Sequence, residues 1–192
     1  TQVDDTAQPN NESRYYSFWC NASVTGATAR QAIFSHGGAK IGAFFFNWAS
    51  SRPLLYMANL VYVFWEDTPT GAQDDGEWHH WVVKIKYNDI TGCELWCDGV
   101  KQTISQVKNV GSMNTYTTGI QIGKGGTEHF NGSLDEFSIH EDLDEEAIRA
   151  LFNRGRPIDI SKANGAYDQS ESEKLLHWWR MGDATSPAAD GT

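Results

Sequence analysis

An all-β fold of two packed antiparallel sheets, with one short helix over 144–153, is what the amino-acid sequence predicts. Eight Trp, nine Phe and seven Tyr accompany eighteen Gly in 192 residues, a composition that suits aromatic strands and turns and that a helical bundle tolerates poorly. Strand-length apolar or alternating segments recur between turns rich in Gly, Asn, Asp and Pro. There are about a dozen of them, too many for one open sheet, so two sheets that bury a shared core are the natural solution.

Residues 1–12 are polar around Pro9-Asn10-Asn11 and read as a flexible lead-in. Tyr15, Tyr16, Phe18 and Trp19 make an aromatic strand, and Thr25-Gly-Ala-Thr28 turns the chain into a second strand that begins at Gln31. After the tight turn His36-Gly37-Gly38, the run Ile41 to Trp48 is apolar on both faces, as a central strand is. Leu54 to Met57 and Val61 to Trp65 continue the pattern. Glu66 to Gly76 holds Pro69 and Gly71 with the acids Asp67, Asp74 and Asp75, and reads as a surface loop.

From Trp78 onward strict alternation directs Trp81, Val83, Ile85 and Tyr87 to the core. On the next strand Cys93, Leu95 and Cys97 share one face while Glu94, Trp96 and Asp98 share the other, and Asp98-Gly99 closes the turn. Gly119 to Gly123 and Phe130 to His140 add two strands. The helix follows, with Asp144 as N-cap, Glu145 and Glu146 at the positive end of its dipole, Leu143 stapled to Ile148, and Gly155 as left-handed C-cap. Its buried stripe is Ile148, Leu151 and Phe152. Ser161 to Lys174 reads as a long polar loop, Leu175 to Met181 as a terminal strand, and 184–192 as a linker or tail, which leaves 13–183 as one domain.

A net charge of -10 with only 15 scattered basic residues excludes phosphate-backbone binding, so nucleic acid is not an expected partner. No run approaches the ~18 consecutive apolar residues of a membrane span. Cys93 and Cys97 sit four residues apart on one strand, roughly 13 Å at ~3.3 Å per residue, and cannot bridge each other. Cys20 could pair with only one of them, so at least one thiol is free and a reducing assembly compartment is favoured. The first residue is Thr, and with the polar ends this suggests a processed chain or an excerpt of a longer one.

Five motifs fall in a fixed order: Trp78-His-His-Trp81, Leu95-Trp-Cys-Asp-Gly99, Ile122-Gly123, Phe130-Asn-Gly-Ser-Leu-Asp-Glu136 and Leu143-Asp-Glu-Glu146. In that order the chain resembles the laminin-G-like, or concanavalin A-like, jelly-roll superfamily from about Arg14 to Gly155. Tyr15-Tyr-Ser-Phe-Trp19 and Leu176-His-Trp-Trp-Arg-Met-Gly-Asp183 extend the resemblance to laminin-G-like domains of bacteriophage virion proteins. The superfamily holds lectins, adhesion modules, glycoside hydrolases and capsid parts, so the sites must decide among them.

The Glu-x-Asp-x-x-Glu strand of hydrolases with this fold is absent, and helix capping accounts for the acids of Glu141 to Glu146. Asp135 and Glu136 are strand neighbours and are expected on opposite faces, as are His79 and His80, which therefore should not chelate one ion together. The resemblance implies a possible structural calcium ion at Asp135, with Asp67, Asp74 and Asp75 as weaker alternatives. Sugars bind such folds through exposed aromatic faces flanked by polar groups. Trp96 with Glu94 and Asp98 fits that description, as do Trp48 and Trp65 beside Asn47. Trp19, Trp78, Trp81 and Trp178 are expected in the core.

The expected function is a non-catalytic domain on a phage virion surface, packing on further copies or other virion subunits and attaching to host-surface glycans. The alternatives are a secreted, extracellular calcium-dependent lectin or adhesion module and a glycoside hydrolase with an atypical site.

Overall fold

The computed structural model describes residues 12–22, 30–36, 41–47, 52–58, 61–66, 75–87, 89–109 and 119–181. Its strands are β1 (Ser13–Ala22), β2 (Gln31–His36), β3 (Ile41–Asn47), β4 (Arg52–Ala58), β5 (Val61–Trp65), β6 (Trp78–Lys86), β7 (Glu94–Cys97), β8 (Val100–Lys101), β9 (Ile104–Asn109), β10 (Ile120–Ile122), β11 (Lys124–Gly125), β12 (Glu128–His129), β13 (Gly132–His140) and β14 (Leu175–Trp179). The helices are α1 (Glu145–Phe152) and α2 (Gln169–Ser172). One six-stranded sheet runs β14-β13-β1-β6-β7-β8, a second runs β10-β2-β3-β4-β5-β9, and β11 and β12 form a small hairpin. All the pairings are antiparallel, as the sequence predicts for a two-sheet jelly roll.

Alternation along each strand builds the core between the sheets. From the first sheet Tyr16, Phe18, Trp81, Val83, Leu95 and Phe137 point inward, to meet Phe34, Phe44, Leu55, Val63 and Trp65 from the second. Phe18 stacks on Phe137 at 5.6 Å, and Phe46 meets Trp81 at 5.1 Å. Cys20, Cys93 and Cys97 are all free and buried in this layer.

The outer face of the first sheet carries a second apolar layer, in which Tyr15, Val82 and Trp96 pack under Leu143, Ala147, Ile148, Leu151, Ile160 and Tyr167. This layer is why α1 forms: Asp144 accepts from the Ala147 amide as N-cap, and one side of the helix is buried on the sheet. Three details differ from expectation. The left-handed C-cap is Asn153 at φ 41°, two residues before Gly155. Within 161–174 the chain forms α2, capped by Asp168, because one Asx cap with two amides suffices for a single turn that no periodicity announces. Trp78, at the entrance to β6, is 47% exposed rather than part of the core.

Where β1 meets β13 the register slips: Ser17 pairs with Ser138 but Trp19 pairs with Asp135. Glu136 sits at the slip in left-handed conformation, φ 51°. This β-bulge overturns the expected separation of Asp135 from Glu136, because the extra residue breaks the period of two and brings both acids to the outer face.

Candidate functional site

The bulge assembles an open pocket at the edge of the α1 cover. Residues directly opposite one another in an antiparallel pair point to the same side. Trp19 on β1 lies opposite both Asp135 of β13 and His80 of β6, and Trp78 lies two residues from His80. Trp19, Trp78 and Asp135 therefore converge, and with Gly155 and Pro157 they line a cavity of about 280 Å³. Trp19 is the floor, itself packed on the Phe152 ring of α1 at 6.1 Å. Trp78 is the exposed indole, and Asp135 spends one carboxylate oxygen on the Glu136 amide at 2.8 Å.

Next to it, and sharing Trp19 and Pro157 with it, Ser17, His80, Glu136 and Ser138 line a small cavity of about 10 Å³, room for about one water molecule. Ser17 Oγ bonds His80 Nε2 at 2.8 Å and Ser138 Oγ bonds His140 Nε2 at 3.0 Å. Glu136 accepts from Trp178 Nε1 at 2.6 Å, and burial raises its pKa above the usual carboxylate value. A sugar cannot enter so small a space, so these groups serve packing.

The residues expected to hold sugar are placed elsewhere. Trp96 is 1% exposed, because α1 covers its face; Lys101 and Arg149 lie over its ring at 5.6 and 5.8 Å. Trp65 is fully buried between the sheets. Glu94 pairs with Lys101 at 3.0 Å and Lys84 at 3.5 Å. Asp98 leaves the Trp96 face altogether, since its φ of 50° breaks strand alternation. These four therefore do not form the exposed aromatic platform expected of them. Asn47 ends β3, but its side chain, like Trp48, Asp67 and Asp74, lies outside the described residues.

Asp98 instead turns to β6, where Oδ1 accepts from the His80 amide at 2.9 Å and Oδ2 bonds His79 Nδ1 at 2.7 Å. Asp75 takes the other nitrogen of His79 at 3.1 Å. Burial would lower the His79 pKa, but bonds to Asp98 and Asp75 and their charges outweigh it and hold the pKa above 6.5. Cys97 completes a group in which His79, Cys97 and Asp98 each bring a ligand atom within 4.8 Å of the others. His79 and His80 do face opposite ways, as expected. Sequence reading stopped there and missed the group, whose one legible signal was that the β6–β7 hairpin returns Asp98 beside its first residues.

Of the residues expected to hold calcium, Asp135 lies in the pocket wall beside Glu136, which is bonded to Trp178. Asp75 accepts from the Glu77 amide at 2.9 Å and bonds His79.

Solved structures share the fold. A botulinum neurotoxin type C structure, titled for the dependence of cell entry on two ganglioside molecules, superposes with TM-score 0.51 at 17% identity over 79% of this chain and 38% of that one. The binding domain of Paraclostridial Mosquitocidal Protein 1 gives 0.53 at 13% identity over 74% and 37%. Trypanosoma rangeli sialidase gives 0.52 at 12% identity over 78% and 24%. This chain thus spans less than two fifths of each of these neighbours. A search of curated proteins finds no match. The family model described as the concanavalin A-like lectin/glucanases superfamily matches residues 2–148, most of the chain and every strand from β1 to β13, so the chain belongs to that superfamily.

Proposed function

We propose that the chain is a non-catalytic carbohydrate-binding module whose sugar seat is the pocket of Trp78, Trp19 and Asp135. One observation carries the reading: a 47% exposed indole stands over an open cavity of about 280 Å³ with a carboxylate in its wall. A pyranose ring has an apolar face for the indole and hydroxyl donors for Asp135. Membership in a superfamily that includes lectins supports it, as does the ganglioside dependence stated for the neurotoxin neighbour. Binding without catalysis is supported by Glu136, the adjoining acid, being bonded to Trp178 beside a cavity too small for substrate.

A glycan array or a set of sugar affinity columns tests this. The chain should be retained by at least one sugar class, and Trp78→Ala should abolish retention while shifting stability by less than about 0.5 kcal/mol, as for an exposed site. Silence across all sugars would remove the reading.

The virion surface is the setting proposed for this module, with an extracellular lectin as the alternative. Support comes from the ends of the two sheets, where β8 and β9 are the last strands among the described residues and Val100 and Val107 are 58% and 37% exposed, since an edge strand can pair with another copy. Sedimentation should then show self-association or co-sedimentation with particles. A chain that stays monomeric and ignores particles would sink the setting and leave the sugar seat standing.

A further inference from the structure

We propose that His79, Cys97 and Asp98 form a three-ligand site for a divalent transition metal, zinc by preference, with Asp75 as the outer carboxylate that orients His79. Imidazole, thiolate and carboxylate together suit zinc and exclude magnesium and calcium, which take oxygen. The ligand atoms lie within 4.8 Å of one another. In a tetrahedral site with Zn–N and Zn–O near 2.0–2.2 Å and Zn–S near 2.3 Å the ligands stand roughly 3.3–3.7 Å apart, so small side-chain rotations close the group on an ion.

The second observation is independent of that proximity. His79 presents Nδ1 to the cluster and Nε2 to Asp75, at 3.1 Å. A metal-bound histidine typically donates its other N–H to a carboxylate, which fixes the tautomer and the ring orientation. Asp75 already stands in that position. Access is provided too, because the Asp98 side chain is 32% and the Asp75 side chain 29% exposed.

Charge balances on binding. The Nδ1 proton of His79 and the thiol proton of Cys97 leave to solvent, Asp98 Oδ2 exchanges its bond to His79 for the metal, and Oδ1 keeps the His80 amide. One thiolate and one carboxylate then neutralise the ion, and a water completes the fourth position.

Cobalt is the probe that reports its ligands. Chelator-stripped protein titrated with Co²⁺ should develop a thiolate-to-cobalt charge-transfer absorption that saturates at one equivalent and is displaced by Zn²⁺. Cys97→Ser should abolish that absorption, whereas Cys20→Ser and Cys93→Ser should leave it. Asp75→Asn should weaken binding roughly 10–100-fold with the absorption intact, as loss of an outer carboxylate does. If Cys97→Ser fails to fold, Asp98→Asn decides, because Asn tolerates φ 50° and can still accept from the His80 amide. No saturable thiolate absorption in the parent protein, its survival in Cys97→Ser, or unchanged affinity in Asp98→Asn would each overturn the site.

Discussion

Two tryptophans exchange the exposures expected of them from the sequence. Trp96 has the sequence of an exposed face, polar on either side, yet it is buried because a helix more than forty residues later lies over it. Trp78 opens a strand whose later members are core, yet it stands clear of the α1 cover and is exposed. Neither outcome follows from period two, which tells sides apart but not what covers each side. Single backbone conformations do the rest: φ of 50° at Asp98 and 51° at Glu136 redirect both side chains from their predicted faces. The same contrast yields a prediction. Trp96→Ala should cost about 3–5 kcal/mol, the range for a large buried ring, and leave sugar retention per folded molecule unchanged. Chemical denaturation alongside affinity retention checks it; a stable variant that no longer binds sugar would return Trp96 to the site.

Elements were legible where sequence and packing repeat one message. β1, β6 and β7 carry alternation that the register confirms, and Asp144 announces α1 through a side-chain cap that needs no tertiary partner. The five family motifs were readable for the same reason: most of their residues are strand, hairpin and cap, so they specify scaffold. The N-terminal aromatic motif behaves alike, since Tyr15, Tyr16 and Phe18 are buried in β1 and speak of packing, while Trp19, also buried, floors the pocket. β9 was not legible, because Ile-Ser-Gln-Val-Lys-Asn is polar and largely exposed and gains its order from pairing with β5. α2 was hidden in the same way. The pocket was legible only in part: Asp135 was singled out, but the bulge that aims it and the 155–157 segment that walls it have no signal in the run Phe130 to His140.

At the scale of the molecule, the first sheet is sandwiched between two apolar layers, and its polar insertions are what acid should attack. His80 and His140 are buried on the α1 side, where burial lowers both pKa values from 6.5 to about 3, His140 adding to the effect on His80. Each therefore stays neutral when folded while it protonates at about 6.5 when unfolded. The sign follows: the unfolded chain binds more protons below pH 6.5, so stability is complete above that value and falls as pH drops toward 3. The slope should approach roughly 1.4 kcal/mol per pH unit for each histidine. Urea denaturation from pH 7 to 4 checks this, and His140→Gln should remove about half the slope; an unchanged profile would show that these histidines are not the acid-sensitive groups. The floor of the open pocket has a further consequence. Trp19 touches the pocket on one side and Phe152 of α1 on the other. A ligand seated on that ring binds well only while α1 is docked, so occupancy acts as a clamp: filling the pocket withdraws population from every state in which the helix has lifted from the sheet.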